Sequence, residues 1–348
     1  MKILITGNTG YVGPLVLERL RQSYPDATLI GLDTGYFAHC LTNAEVLPEC
    51  RIDVQYFMDV RQLRQEVLED VDAVIHLAAI SNDPMGNTFE EITFDINFQA
   101  SLNLAKRAKS AGVKSFVFAS SCSMYGLADD KPRKETSPLN PLTAYAKSKV
   151  KTEHGLESLA GNEFTVTCLR FATACGMSPR LRLDLVVNDF VAGAVASGKI
   201  TILSDGTPWR PLIHVRDMAR AIDWAIGRNA DHESFLAINV GSNNWNYQVR
   251  QLADAVAEVI PGTSISVNED APADKRSYRV DFGLYESVAP QHQPQVDLLT
   301  TVRELKDGLE AMSFNDPDFR NSPYMRLEVL KRLKSQGRID GELRWTGR

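Results

Sequence analysis

Short apolar runs recur along the first half of the chain, each closing on small, polar or acidic residues before a stretch that is apolar at helical spacing. Lys2 to Thr6 is the first run and leads directly into Gly7-Asn-Thr-Gly10-Tyr-Val-Gly13. Pro14 follows where a first helical turn tolerates a missing amide hydrogen, and Leu15, Val16 and Leu20 carry the helix to about Ser23. Thr28 to Leu32, ending in Asp33, predicts a second strand, Arg51 to Met58 a third and Val71 to Ala79 a fourth. Thr88 to Ser110 reads as one long helix, with Phe94, Leu102, Leu104 and Ala108 inward and Asn97 on it. Lys114 to Ala119 predicts the next strand, opening into Ser120-Ser121-Cys122-Ser123-Met124-Tyr125-Gly126. A polar loop with Pro132, Pro138 and Pro141 precedes a helix from near Thr143, and Phe164 to Phe171 is a sixth strand. This alternation predicts an α/β fold, a Rossmann-type doubly wound parallel sheet, with ligands along the carboxyl ends of its strands.

Beyond Arg170 the pattern loosens, as expected of a smaller, interleaved α+β substrate-binding lobe. A helix over Asp184 to Val195 bears Asn188; Lys199 to Leu203 is a strand, followed by a turn at Asp205-Gly206 and the stretch Trp209 to Asp217. A helix over Asp217 to Ile226, a strand at Ala237 to Val240 and a helix over Val249 to Val259 come next. Lys275 to Asp281 reads as a basic strand, and Arg326 to Leu333 as a charged amphipathic helix with no assigned function. The division expected is a dinucleotide domain over 1–172, rejoined by segments near 205–245, and a substrate lobe with C-terminal helices over 173–348.

Composition narrows the function classes. The 348 residues carry a net charge of −6 with no basic block or basic-aromatic stripe, which argues against nucleic acid as partner. No apolar run is long enough to span a bilayer, and the N-terminal run is a first strand rather than a signal peptide. Cys40, Cys50, Cys122, Cys168 and Cys175 show neither pairing nor metal spacing, so no metal is expected and a reduced, cytoplasmic setting is.

The candidate chemistry falls at the predicted strand ends. A glycine loop between a first strand and a helix gives a tight turn, close backbone approach to a diphosphate and a helix N-terminus aimed at the anion. Asp33 at the second strand end suits the ribose hydroxyls of NAD and opposes the extra phosphate of NADP. Asp59-Val60 is placed to meet the adenine, the fourth strand closes on small residues where a dinucleotide must pass, and His76 reads as an internal hydrogen-bonding residue. Tyr145 and Lys149, four apart, leave one face of their helix. A tyrosine has a reference pKa of about 10, so a base at neutral pH needs roughly three units of depression; a nearby ammonium favours the phenolate. Ser121 stands where a strand-end hydroxyl can hold a substrate oxygen against that phenol.

Taken together, these motifs resemble the extended short-chain dehydrogenase/reductases, specifically the NAD-dependent epimerase/dehydratase family acting on nucleotide sugars. The resemblance covers Met1 to roughly Asp281 and rests on Thr6 to Gly13, Asp33, Asp59-Val60, His76 to Ala79, Asn97, Ser120-Ser121 through Tyr125-Gly126, Pro141 to Lys149, Arg170, Asp205-Gly206, Arg210 and Val215 to Asp217. It implies Ser121, Tyr145 and Lys149 as catalytic residues, with Tyr145 the base and Lys149 holding the nicotinamide ribose. The NAD site it implies comprises Gly7, Gly10, Tyr11, Val12, Gly13, Asp33, Asp59, Val60, Leu77, Ala78, Ala79, Asn97, Ser120, Tyr145 and Lys149. Substrate contacts are expected from Ser81, Ser121, Ser123, Thr173, Arg180, Asn188, Arg210 and Arg276, the arginines gripping a nucleotide diphosphate.

Three departures from the family pattern matter. Cys122 and Ser123 occupy the places of the Asp-Glu pair that 4,6-dehydratases use, which disfavours dehydration. Thr173 replaces an asparagine that normally helps hold the substrate, and Ser178-Pro-Arg180-Leu-Arg182 adds arginines at the mouth of the substrate lobe. The resemblance implies an NAD-dependent nucleotide-sugar epimerase, expected to be a homodimer. The alternatives are a ketoreductase or dehydrogenase with net redox change, then a dehydratase or a non-catalytic cofactor-binding protein.

Overall fold

The apolar runs do pair side by side. In a computed structural model, which describes residues 1–127, 131–228, 233–268 and 277–347, the strands of the first half are β1 (Lys2–Thr6), β2 (Thr28–Asp33), β3 (Val54–Phe57), β4 (Ala73–His76), β5 (Ser115–Ser121) and β6 (Thr165–Phe171). They are followed by β7 (Thr173–Cys175), β8 (Lys199–Ile202), β9 (Trp209–His214), β10 (Phe235–Val240), β11 (Asn246–Gln248) and β12 (Ser264–Val267). The helices are α1 (Gly13–Ser23), α2 (Asp83–Thr88), α3 (Glu90–Phe94), α4 (Ser101–Ser110), α5 (Ala144–Glu157) and α6 (Val186–Ser197). The remainder are α7 (Val215–Ile226), α8 (Val249–Val259), α9 (Gly283–Val288), α10 (Leu298–Ala311) and α11 (Arg326–Ser335).

The large sheet is seven-stranded in the order β10-β6-β5-β4-β1-β2-β3, every pair parallel. Strand direction and order reverse the winding next to β1, so the sheet is doubly wound and its crevice opens at the carboxyl ends of β1 and β4. One face is covered by α1 and α7, through Leu17, Leu20, Ala221 and Ile222. The other is covered by α4, α5 and α11, through Leu104, Leu156, Val329 and Leu330. The second lobe has its own core of Val187, Val191, Leu252, Val302 and Leu305 from α6, α8 and α10. Beside it lie a small sheet ordered β11-β9-β7 and the β12-β8 pair.

Several boundaries differ from the pattern reading. The third and fourth strands are shorter than expected, because a 3₁₀ turn occupies Pro48–Arg51 and pairing stops at His76. The long helix expected over 88–110 is three helical pieces, α3, a π-helical turn at Asp95–Ala100 and α4, with α2 ahead of them. The π turn has a cause: the Asn97 carbonyl accepts from both Ser101 and Thr152 hydroxyls, which draws it out of the regular ladder. The expected 217–226 helix starts two residues earlier, with the His214 ring accepting from the Arg216 N–H as its cap. Within 275–281, residues 275 and 276 lie outside the described residues, and the rest forms only isolated bridges at Ser277 and Val280.

Candidate active site

The crevice is built first by glycine. Gly7 has φ +77 and a Cβ there would sit 2.6 Å from the Ala78 nitrogen, so only glycine lets the β1 exit and the β4 exit lie this close. At Gly13 a Cβ would meet the Asn8 carbonyl oxygen at 2.0 Å. The start of α1 therefore packs tightly on the loop, and no side chain caps its N-terminus at Val12. Its free N–H groups and positive dipole end are left for an anion.

Around this cradle the cleft is lined by Gly7, Gly10, Tyr11, Val12, Asp33, Asp59, Val60, Leu77, Ala78, Ala79 and Ser81, all predicted, by Arg182 from the arginine-bearing 178–182 stretch, and by Tyr36, Phe37 and Arg326, which were not expected there. Asp33 accepts from the Thr9 N–H at 3.1 Å and the Gly35 N–H at 2.8 Å, leaving further lone pairs for ribose hydroxyls. Burial raises its pKa, against those two bonds and nearby Arg180. Asp59 caps its own turn through the Arg61 N–H and holds the Arg61 guanidinium at 2.6 Å, so its carboxylate is already engaged. The cradle, the acid and the narrow small-residue wall fit an adenine dinucleotide.

Ser120, Ser121, Tyr145 and Lys149 are not part of that lining; α5 presents the reactive pair next to it, linked through Arg182, which acts on Tyr145 and donates to Ser81. Thr143 caps the helix by accepting from the Ala146 N–H, and this fixes Tyr145 in the first turn. Ser121 stands close enough to the Tyr145 phenol to favour its phenolate, and its Oγ accepts from the Ser123 N–H. Lys149 Nζ is buried, donates to the Ala119 carbonyl at 2.6 Å and lies 4.5 Å over the Phe118 ring and 5.6 Å over the Tyr145 ring. Lys149 is not among the largest influences on the Tyr145 phenol. Burial pushes the phenol up to about 12, with Ser121 opposing. Burial also lowers Lys149 to about 7, against the Glu153 carboxylate, which raises it. The hydroxyls of Ser120 and Ser123 are buried without a hydrogen-bond partner among the described residues.

Other predicted residues serve elsewhere. Asn97 is not in the cleft wall: it clamps both the N–H and the carbonyl of Ile80 and reaches Ser148, tying the β4 exit to α5. Asn188 is fully buried and spends its amide on Gly176, Arg182 and Tyr11, which holds the 176–182 segment against the glycine loop rather than a substrate. Arg180 lies on the cofactor side, pairing with Glu49 at 2.8 Å and donating to the Thr9 carbonyl. Thr173 and Arg210 are half-buried on β7 and β9, and Arg276 lies outside the described residues. His76 is internal as expected, bonded to Thr6 and Ser101 and pushed down to about 3 by burial.

Arg182 was expected only as one of the extra arginines at the mouth of the substrate lobe, and Arg326 was not expected at the site at all. Arg182 pairs with Asp184 at 2.8 Å, donates to Ser81 Oγ and stands close enough to Tyr145 to favour its phenolate. Arg326 opens α11 with 1 % exposure. A signal for it exists in the sequence: Arg326, Val329, Leu330 and Leu333 follow the i, i+3, i+4, i+7 spacing of one helix face, so a charge sits in the buried register. Beneath the site, Arg170 on β6 pairs with Glu153 on α5 at 2.7 Å and donates to the Tyr125 hydroxyl, which in turn bonds Asn239. The Cys122 thiol faces this layer and donates to the Arg170 carbonyl. Burial raises its pKa, so it offers no proton-transfer group to the cleft.

Comparison with known proteins is consistent with this geometry. Residues 3–241 match the NAD dependent epimerase/dehydratase family. An uncharacterised UDP-glucose epimerase, YtcB, of Bacillus subtilis is 30 % identical over 254 residues, spanning 69 % of this chain and 77 % of that protein. A putative UDP-glucose 4-epimerase of Methanocaldococcus jannaschii is 26 % identical over 318 residues, 88 % of this chain and 98 % of that one. Among solved structures, a UDP-glucose 4-epimerase from Bifidobacterium longum in complex with NAD+ and UDP shares the fold with a TM-score of 0.77, at 21 % identity over 91 % of this chain and 100 % of that chain.

Proposed function

The chain belongs to the NAD-dependent epimerase/dehydratase family, and from that premise we propose that it epimerises a nucleotide-activated sugar by transient oxidation of a ring hydroxyl. The observation that carries this reading is Tyr145 with Ser121 and the crevice-lining Arg182 acting on its phenol, and no acid-base pair at Cys122-Ser123. The names of the similar proteins point the same way.

NAD, when bound, supplies the acceptor for a hydride and returns it. The chain's own residues manage position and proton. Ser121 Oγ holds the substrate oxygen against the Tyr145 phenol, and Tyr145 takes the hydroxyl proton as base. A phenol near 12 is poorly ionised at neutral pH, so its activation depends on positive charge close to its oxygen. Arg182 contributes within the chain. Tyr145 then returns the proton to the sugar oxygen once the ketone has presented its other face. Among the described residues no helix is long and apolar enough to cross a membrane.

The test is turnover of a panel of UDP-, GDP-, CDP- and dTDP-sugars by purified protein without added cofactor, using substrate deuterated at the oxidised carbon. Conversion with label retained on that carbon and no net absorbance change at the NADH band is expected. Stoichiometric NADH accumulation, or an absolute need for added NADPH, would rule the epimerase reading out in favour of net redox chemistry.

A further inference from the structure

Arg326 is a costly residue in its present surroundings. It is 1 % exposed, and among the described residues no carboxylate lies within ion-pair distance of it. Its Nη2 donates to the Arg180 carbonyl at 2.8 Å and the Leu181 carbonyl at 3.1 Å, and its guanidinium lies 4.7 Å from the Phe37 ring centroid. Its Nη1 is buried with no hydrogen-bond partner among the described residues, in the wall of the same crevice that Gly10, Tyr11 and Val12 line. The groups acting on it are the Cys40 thiol first, then Arg182, Asp184 and Arg180; burial raises the pKa of that thiol, and Asp184 is committed to Arg182. Burial lowers the guanidinium to about 10, the sign of a cation missing its anion. A buried, uncompensated guanidinium facing a crevice with an uncapped helix N-terminus describes a site for a polyanion.

We propose that Arg326 is a cofactor-binding residue that takes the diphosphate of the dinucleotide, from a C-terminal element outside the matched family region. The inference rests on the reading of the crevice as a dinucleotide site. The elements around Arg326 support it. Phe37 belongs to the β2 exit that also carries Asp33, while Arg180 and Leu181 belong to the segment pinned to Tyr11 by Asn188. The guanidinium thus stands between the ribose end and the glycine loop, where the diphosphate of a bound dinucleotide passes. The rest of the C-terminal segment docks on the same rim: the Tyr36 hydroxyl donates to the Leu343 carbonyl, the Trp345 indole to the Thr34 carbonyl at 2.7 Å and Arg61 to the Glu342 carbonyl at 3.0 Å. Bound cofactor is thereby covered from a direction that the parallel sheet itself leaves open.

The experiment measures, by calorimetry on full-length protein stripped of nucleotide, the binding of adenosine, ADP and NAD to wild type and Arg326→Met. Loss of a charge-assisted bond predicts about tenfold or greater weakening for ADP and NAD and an adenosine affinity within about threefold of wild type. The variant also purifies with less bound NAD. Equal weakening for adenosine, or unchanged ADP affinity, overturns the proposal in favour of a packing role. If Arg326→Met does not fold by circular dichroism, Arg326→Lys replaces it, with a smaller loss for ADP and none for adenosine. A wild-type protein that binds none of these ligands instead refutes the dinucleotide reading itself.

Discussion

Glu153→Gln tests whether the layer beneath the reactive pair is as important as its geometry implies. Tyr145, Lys149 and Glu153 succeed one another at four-residue intervals on α5, and Glu153 clamps Arg170 through contacts of 3.1, 3.1 and 2.7 Å. Both side chains are nearly sealed, at 3 % and 8 % exposure. Breaking such a pair by neutralising one partner costs about 3–5 kcal/mol. Glutamine keeps one acceptor, and Arg170 keeps the Tyr125 hydroxyl and the Glu135 carbonyl, so the lower end, about 3 kcal/mol, applies. With an unfolding entropy of about 2.1 cal/mol/K per residue over 348 residues, that loss lowers Tm by about 4 °C. A second readout follows from Lys149, which burial pushes down and the Glu153 carboxylate holds up. Removing that charge lets Lys149 lose its proton at lower pH, so the alkaline limb of any activity that needs the ammonium moves toward acid. Calorimetric Tm and a pH–rate profile measure the two effects. A Tm within about 1 °C of wild type, together with an unmoved alkaline limb, would refute both the energetic and the electrostatic argument.

Tyr145→Phe should abolish turnover while leaving the fold and NAD binding nearly intact, since only the phenol oxygen beside Ser121 is removed; activity above a few per cent of wild type would assign the base elsewhere. Lys149→Met carries a signed stability prediction. The unfolded lysine keeps its proton to 10.5 and the folded one releases it near 7, so the unfolded state binds more protons across that window and wild-type stability rises with pH through it. The variant should lack that rise and be the more stable protein near pH 7, as Tm measured from pH 7 to 10 would show; parallel curves would contradict it. Gly7→Ala should eliminate NAD binding, because the left-handed backbone and the 2.6 Å approach to Ala78 leave no space for a methyl group; calorimetry showing retained affinity would overturn the cradle argument. NAD should be preferred over NADP by about tenfold, roughly 1.4 kcal/mol, because Asp33 faces the ribose position; equal affinities by titration would refute it.

What the sequence determined by itself is whatever depends on neighbours along the chain. Period-two and continuous apolar runs fix strands, helical spacing fixes α1 and α5, and the glycine spacing fixes the turn between β1 and α1. For the same reason Tyr145 and Lys149 were legible as a pair, being one helical turn apart, and so was the absence of an acid-base pair at Cys122-Ser123. Tertiary structure decided the rest, because charged and amide side chains take their roles from partners far away in sequence. Asn188 looked like a substrate contact until Gly176, Arg182 and Tyr11 consumed its amide. Arg180 looked like one until Glu49 and Thr9 drew it to the cofactor side. The lysine beside Tyr145 has the spacing of an electrostatic activator, yet burial lowers its pKa, and burial is a property of the packed core. Arg326 is the clearest case: its helical register put it on the buried face, but only the return of the C-terminal segment to the rim of the first domain brings that face to the crevice.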